Sequence, residues 1–141
     1  MIMIINKIYI EMRIMTETTF LYQSFYKAED LFLIHQNENG LEHDLVANYI
    51  QSSLSLATWY RKESDFANPL LEELFLRRLF YNLLNTINDA TKCPILRRIC
   101  LNQIHEPLIA LKHYYNQSRT GHKHFLLLQK DLKEIQYLND L

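Results

Sequence analysis

The sequence PLLEELFLRRLFYNLLNTIND occupies residues 69–89 and is apolar around most of a helical circumference. Its Leu, Phe and Ile side chains recur at three- and four-residue spacing, as on an amphipathic helix. Asn68 is a favourable N-cap and Pro69 suits the first helical position, so we expect the helix to begin at Pro69. The remaining polar stripe is narrow and comprises Arg78, Asn82, Asn85 and Asp89. A helix with so little polar surface is typically central to its fold.

Further segments show the same helical period of apolar side chains. They cover approximately residues 18–37, 41–63, 94–117 and the stretch after Gly121. Thr18 or Thr19 is the expected N-cap of the first segment, and Asn37-Glu38-Asn39-Gly40 is its expected stop. Pro107 lies inside the 94–117 segment, where its ring clashes with the carbonyl group of Gln103, so a kink is predicted there.

The composition favours helices over sheets. Gly40 and Gly121 are the only glycines among 141 residues, whereas β-sandwich and α/β folds use many glycines in tight turns. Short connections favour antiparallel neighbours. We therefore predict an all-α fold, an up-and-down bundle of four to five antiparallel helices. It forms a single domain over residues 18–141, with Leu74 and Leu132 as core positions.

Residues 1–17 stand apart as a short apolar N-terminal arm. The first ten residues, MIMIINKIYI, lack the basic region and cleavage site of a signal peptide. Lys7, Glu11 and Arg13 interrupt the apolar run well short of the ~20 residues that span a bilayer. Two interpretations stay open. Either the arm packs on the bundle or on a partner, or the translation start is Met15 and residues 1–14 are an upstream artefact.

Charge and cysteine content bear on the compartment. The formal net charge of −1 gives no global attraction to nucleic acid or to an anionic membrane. The cysteines are Cys93 and Cys100, and on one helix this spacing separates them by about 10 Å along the axis, too far for a disulfide. Reduced thiols predict a cytoplasmic protein.

No catalytic signature is recognisable in the sequence. A phosphate loop, a dinucleotide-binding fingerprint and a nucleophile elbow all need more glycines than this chain has. The spacings of zinc sites are missing, and so is the Glu-x-x-His pair of di-iron bundles. We therefore expect a non-enzymatic protein without catalytic residues, cofactor or metal.

The aromatic content favours an interaction protein. Nine Tyr, seven Phe and one Trp occur in this small domain, more tyrosine hydroxyls than its core can satisfy, and Tyr is enriched at interfaces. We expect an adaptor, chaperone or regulator that binds another protein and self-associates, with a homodimer as one form. The candidate partner-binding residues are Tyr60, Arg77, Arg78, Tyr81, Arg97, Arg98 and Tyr114.

Two basic pairs suggest a first alternative. Arg77-Arg78 and Arg97-Arg98 lie on predicted helices, where arginines could contact phosphates while aromatic neighbours stack on bases. Acidic residues are interleaved with them, which also fits a solvated face with ion pairs along the helices. A nucleic-acid-associated regulator using these four arginines is the first alternative function.

Histidines suggest a second alternative. His105, His113, His122 and His124 fall in the last third of the chain, and histidine is a ligand of transition metals. The stretch His105-Glu106-Pro107-Leu108 is similar to the phosphoacceptor box of sensor histidine kinases, although the spacer between Glu and Pro is missing here. The resemblance implies that His105 accepts or relays a phosphoryl group within a helical hairpin. A phosphotransfer or metal-binding module centred on His105 is therefore the second alternative.

Overall fold

A computed structural model of the chain describes residues 1–34 and 40–139. The described ranges contain the helices α1 (Ile2–Ile34), α2 (Glu42–Trp59), α3 (Pro69–Asn88), α4 (Pro94–Gln103), α5 (His105–Tyr115) and α6 (Gly121–Leu138). No β-strand occurs within those ranges. The all-α helical bundle predicted from the sequence is therefore confirmed.

Helix α3 is central to the bundle, as its apolar sequence predicts. It packs against α2, α4, α5 and α6, and its residues Leu79, Phe80 and Leu83 are completely buried. Helix α1 packs on α2 and adds Phe25 and Phe32 to the same core. One continuous hydrophobic core therefore holds the helices together.

Local sequence sets the helix ends around α3. The Asn68 side chain accepts a hydrogen bond from the backbone N–H of Leu71 at 3.3 Å, and Pro69 is the first residue of α3, so the predicted N-cap is confirmed. Gly40, just before α2, has a φ of +89°, a conformation that residues other than glycine rarely adopt. The other residues of the predicted stop, 37–39, lie outside the described residues.

The predicted kink at Pro107 takes the form of an interruption. Helix α4 ends at Gln103 and α5 begins at His105. Pro107 has no N–H to donate to the carbonyl group of Gln103, and its ring crowds that carbonyl group, so a regular helix cannot continue across Ile104. The predicted 94–117 segment is therefore two helices.

The predicted start of the first segment is wrong. Helix α1 begins at Ile2, and Thr18 lies inside it. The Thr18 hydroxyl donates to the carbonyl group of Ile14 at 2.9 Å, a bond made within a continuous helix rather than at a cap. The apolar arm is thus the outer half of α1. With 33 residues, α1 is about 50 Å long, and residues 1–13 are all exposed.

One predicted core position is also wrong. Leu74 is 50 % exposed, whereas Leu132 is buried as predicted. The apolar circumference of α3 is wider than the face that its neighbours cover, and Leu70 and Leu74 lie on the uncovered part. Periodicity alone does not separate the two parts, because both are occupied by leucine.

Candidate functional site

The largest concentration of exposed apolar side chains in the described ranges lies on the outer half of α1. Eleven large apolar side chains among residues 1–20 are each at least half exposed, from Ile8 at 51 % to Met1 at 94 %. Soluble monomers rarely leave contiguous apolar surface beyond a few hundred Å² uncovered. No helix of the described ranges is long and apolar enough to cross a membrane. This surface is therefore a candidate binding site.

Part of this surface follows a strict spacing. Met1, Ile5, Ile8, Met12 and Met15 are separated by alternating steps of four and three residues. The same steps continue through Thr19, Tyr22 and Tyr26 as α1 reaches the bundle. We call these eight residues the α1 seam. Alternating steps of three and four average 3.5 residues, which is the repeat with which one helix packs lengthwise against another.

A shallow depression, open to solvent, follows the bundle end of the seam. A cavity of about 660 Å³ is lined only by α1 residues between Thr18 and Leu31, including Tyr22 and Tyr26. A second cavity of about 350 Å³, lined between Met15 and Gln23, shares two residues with the first. The two cavities therefore follow one another along the outer side of α1, and we call them together the α1 groove.

The opposite side of α1 is fixed to the bundle by packing. Phe25, Ala28 and Phe32 are buried, and the Phe25 and Phe75 rings meet edge to face with centroids 5.2 Å apart. Tyr22 lies between the two sides of the helix. Its hydroxyl group lies 2.7 Å from that of Tyr60, and burial, followed by that hydrogen bond, raises the pKa of Tyr22.

A buried polar cluster adds to this attachment. Glu29 is 3 % exposed and accepts hydrogen bonds from the Tyr49 hydroxyl at 2.9 Å and from Arg78 Nε at 2.7 Å. Arg78 Nη2 bonds to the second carboxylate oxygen. Asn82 Nδ2 donates to the Tyr49 oxygen at 2.7 Å. The hydrogen bond to Glu29 raises the pKa of Arg78. The cluster joins α1, α2 and α3, and so fixes the direction in which the outer half of α1 projects.

The predicted basic residues on α3 are bonded inside the bundle. Arg78 is the partner of Glu29 described above. Arg77 Nη1 donates to the Tyr115 hydroxyl at 3.0 Å, and its guanidinium lies 5.4 Å from the centre of the Tyr81 ring. Both guanidinium groups therefore stabilise the packing of α3 against its neighbours.

The predicted basic residues on α4 differ from each other. Arg97 Nε donates to the carbonyl group of Ile87 at 2.9 Å, and its Nη2 donates to Asn139 Oδ1 at 2.9 Å. Arg98 is exposed and lines a cavity of about 390 Å³ beside Ile95 and Ile99. Arg98 is thus the basic residue of the four that faces solvent most openly, and binding of nucleic acid stays a prediction.

The predicted tyrosines lie at the margins of the core. Tyr60, Tyr81 and Tyr114 are all half-buried. Tyr60 bonds to Tyr22, and the Tyr81 hydroxyl donates to Asp131 at 2.9 Å. Burial raises the pKa of Tyr114 to about 12. These residues give less apolar surface to solvent than the arm does. Continuing the three–four spacing of the arm across Thr19 would have identified the seam from the sequence.

His105 and the cysteines lie apart from α1. His105 is exposed at the start of α5, with Nδ1 2.8 Å from the carbonyl oxygen of Asn102. Within the described ranges, no group of three or more His, Cys, Asp or Glu residues could hold a metal ion. Cys93 and Cys100 are free thiols, and burial raises the pKa of Cys100 to about 12. Phosphotransfer through His105 stays a prediction.

Comparisons with protein-family models, with curated proteins and with solved structures find no match for this chain. The candidate site is therefore defined by the geometry of α1 alone.

Proposed function

We propose that this is a non-enzymatic helical interaction protein, an adaptor, chaperone or regulator that acts by binding a polypeptide along the α1 seam. The observation that carries the proposal is the run of large apolar side chains on residues 1–20 that stay at least half exposed. Covering such side chains is the main favourable contribution to protein association. The bundle supplies the anchor for α1, and the outer half of the helix supplies the contact.

The spacing of the seam favours a helical ligand. No charged residue occurs on the seam from Met1 to Tyr26. A second helix can place its own apolar side chains between those of the seam along its whole length, because both helices share the 3.5-residue repeat. Glu11 flanks the seam next to Met12, whereas Lys7, Arg13 and Glu17 lie farther round the helix, so a covering helix contacts an apolar centre with charged residues outside it, as in protein interfaces generally. The free thiols support a reducing, cytoplasmic setting for this binding.

Site-specific photo-crosslinking in cells tests the proposal. A photoreactive amino acid replaces Met12 on the seam or, as the matched control, Ile10, which is similarly exposed but off the seam. We expect discrete protein adducts from position 12 and far weaker ones from position 10. Equal adducts from both positions, or none from either, would contradict the proposal, because binding along the seam requires one side of α1 to be covered.

A further inference from the structure

We infer that the ligand of the α1 seam is the α1 seam of a second copy of this chain, packed against it in antiparallel orientation. The inference rests on the proposed function and adds the identity of the partner. It predicts a homodimer with two-fold symmetry in which both chains contribute the same surface to the interface.

The residue spacing specifies one register for such a pair. In antiparallel packing, Met12 of one chain lies opposite Met15 of the other, Ile8 lies opposite Thr19, and Ile5 lies opposite Tyr22. Met1 then falls opposite Tyr26, so the eight residues of the seam form four kinds of pair, each of which occurs twice in the dimer. The two-fold axis passes between Arg13 and Ile14. Because the seam is uncharged, this register buries no like-charge pair along its centre.

The groove gives the pairing its complementarity. The tip of the arm, Met1 to Ile5, is strongly exposed and apolar, with Met1 94 % and Ile5 60 % exposed. In the register above, this tip lies over the groove beside Tyr22 and Tyr26 of the partner. The tip and the groove lie on the same side of the same helix, so a single two-fold operation lays each tip over the partner's groove. A partner of different sequence would need to supply such a tip independently.

The position of the bundle favours antiparallel over parallel pairing. The remainder of the chain packs along the inner half of α1 through residues such as Phe25 and Phe32. Parallel seams would bring both bundles to the same end of the pair and leave the arm tips facing only each other. Antiparallel seams place the bundles at opposite ends and lay each arm along the partner's bundle end.

The available surface is large enough for a stable dimer. From Met1 to Tyr26 the seam extends about 38 Å. An interface of standard size buries about 800 Å² on each partner. Covering about half of the exposed surface of the apolar side chains on residues 1–20 reaches that order, without any contribution from the bundle.

Light scattering after size exclusion tests the dimer. We expect the full-length chain to have twice its monomer mass of 17.0 kDa at tens of micromolar. Ile8→Glu places a charge on the seam, opposite Thr19 of the partner, and should weaken the dimer at least about thirtyfold. Ile10→Glu introduces the same charge off the seam and should change the dimer dissociation constant less than about threefold. A monomeric wild-type chain, or equal effects of the two substitutions, overturns the inference.

Cysteine crosslinking tests the orientation. With Cys93→Ser in every chain, a mixture of Ile8→Cys and Thr19→Cys proteins should form a mixed disulfide, because these positions lie opposite each other. Ile8→Cys alone should not, since two copies of that position lie about 16 Å apart along antiparallel helices. Efficient crosslinking of Ile8→Cys to itself would show parallel pairing and overturn the inference.

The failure of this inference and the failure of the proposed function have different outcomes. A monomer whose position-12 adduct contains a different protein overturns self-pairing while leaving binding along the seam intact. A monomer that sediments with vesicles of phosphatidylcholine and phosphatidylserine, and loses this property in Ile8→Glu, overturns both self-pairing and polypeptide binding in favour of a lipid surface. A dimer that depends on Ile8 but not on Ile10 supports both proposals.

Discussion

The guanidinium group of Arg78 on α3 forms two hydrogen bonds with the carboxylate of Glu29 on α1, a residue 49 positions earlier in the chain. The Arg78 side chain is 40 % exposed and that of Glu29 is 4 % exposed. Arg78 also lies over the Phe25 ring, with 5.3 Å between its Cζ atom and the ring centre. This pair therefore fixes α1 to the bundle by charge and by packing together.

Arg78→Met should destabilise the fold by about 2–3 kcal/mol, below the range for fully buried pairs because the arginine is partly solvated. The cost comes from leaving the Glu29 carboxylate buried without its cation. Urea unfolding at neutral pH measures it. In the double variant Arg78→Met with Glu29→Gln, the stranded charge is gone and part of the stability should return. A loss of stability in the double variant equal to the sum of the losses in the two single variants would contradict this account.

Gly121→Ala should destabilise the protein by about 2–3 kcal/mol. A Cβ atom on Gly121 would lie 1.8 Å from the carbonyl oxygen of Tyr115, and a backbone atom cannot move aside cheaply. Gly40→Ala is the comparison, because a Cβ there meets no atom of the described residues within 4 Å, and the expected cost is that of its positive φ, about 1 kcal/mol. Thermal unfolding of both variants should rank Gly121→Ala as the more damaging.

Leu79→Ala should cost about 2–5 kcal/mol, because Leu79 is completely buried and its loss leaves a cavity. Leu74→Ala on the same helix should cost less than about 1 kcal/mol, since half of that side chain is already in water. Urea unfolding of the two variants compares the same substitution at a buried position and at a half-exposed position. Equal losses would mean that a partner covers Leu74 in solution.

Ser53→Ala should stabilise the protein by about 1 kcal/mol. The Ser53 hydroxyl is buried without a hydrogen-bond partner among the described residues, so its removal relieves an uncompensated desolvation. Ser55→Ala, on the exposed side of α2, controls for the higher helix propensity of alanine. Chemical unfolding should show a larger gain at position 53 than at position 55; a loss at position 53 would indicate an unseen partner for the hydroxyl.

Stability should fall as the pH rises from about 9 toward 12. Burial raises the pKa of Cys100 and of Tyr114 to about 12, whereas the unfolded groups ionise near 8.5 and 10. Between these values the unfolded chain has lost protons that the folded chain still holds, so the free energy of unfolding decreases with pH. Urea unfolding at about pH 7, 9 and 10.5, below and within that range, measures the slope of the free energy of unfolding against pH. Tyr114→Phe should reduce the slope, and a flat profile in the wild type would contradict the assignment.

The sequence predicted the fold class well because helix signals are local. The Asn68–Pro69 start and the interruption before Pro107 depend only on neighbouring backbone atoms, and both are present. The start of α1 was missed because Thr18 resembles a cap, and only the neighbouring turn decides whether its hydroxyl bonds forward or back to Ile14.

Side-chain contacts between distant helices could not be predicted from the sequence, for a different reason. The sequence predicts Arg78 and Asn82 on a narrow polar stripe of α3, and nothing in their spacing indicates a buried Glu29 on another helix. Periodicity gives the faces of each helix, but the neighbour that covers a face is a property of the whole fold. The candidate site was therefore identified from the exposure of apolar side chains along α1, rather than from the tyrosines and arginines that the sequence analysis predicted.

Because α1 projects beyond the bundle, the proposed dimer makes the conformation of its outer half depend on the amount of protein in a cell. Residues 2–13 rely on their own backbone bonds for helical order, and short helical stretches of this kind are only marginally stable in water. In the proposed dimer, ordering of that segment and association with a second copy are one equilibrium, governed by mass action. The expression level of the protein then affects its conformation. At low concentration residues 2–13 lose helical order, and at high concentration association with a second copy stabilises their helix.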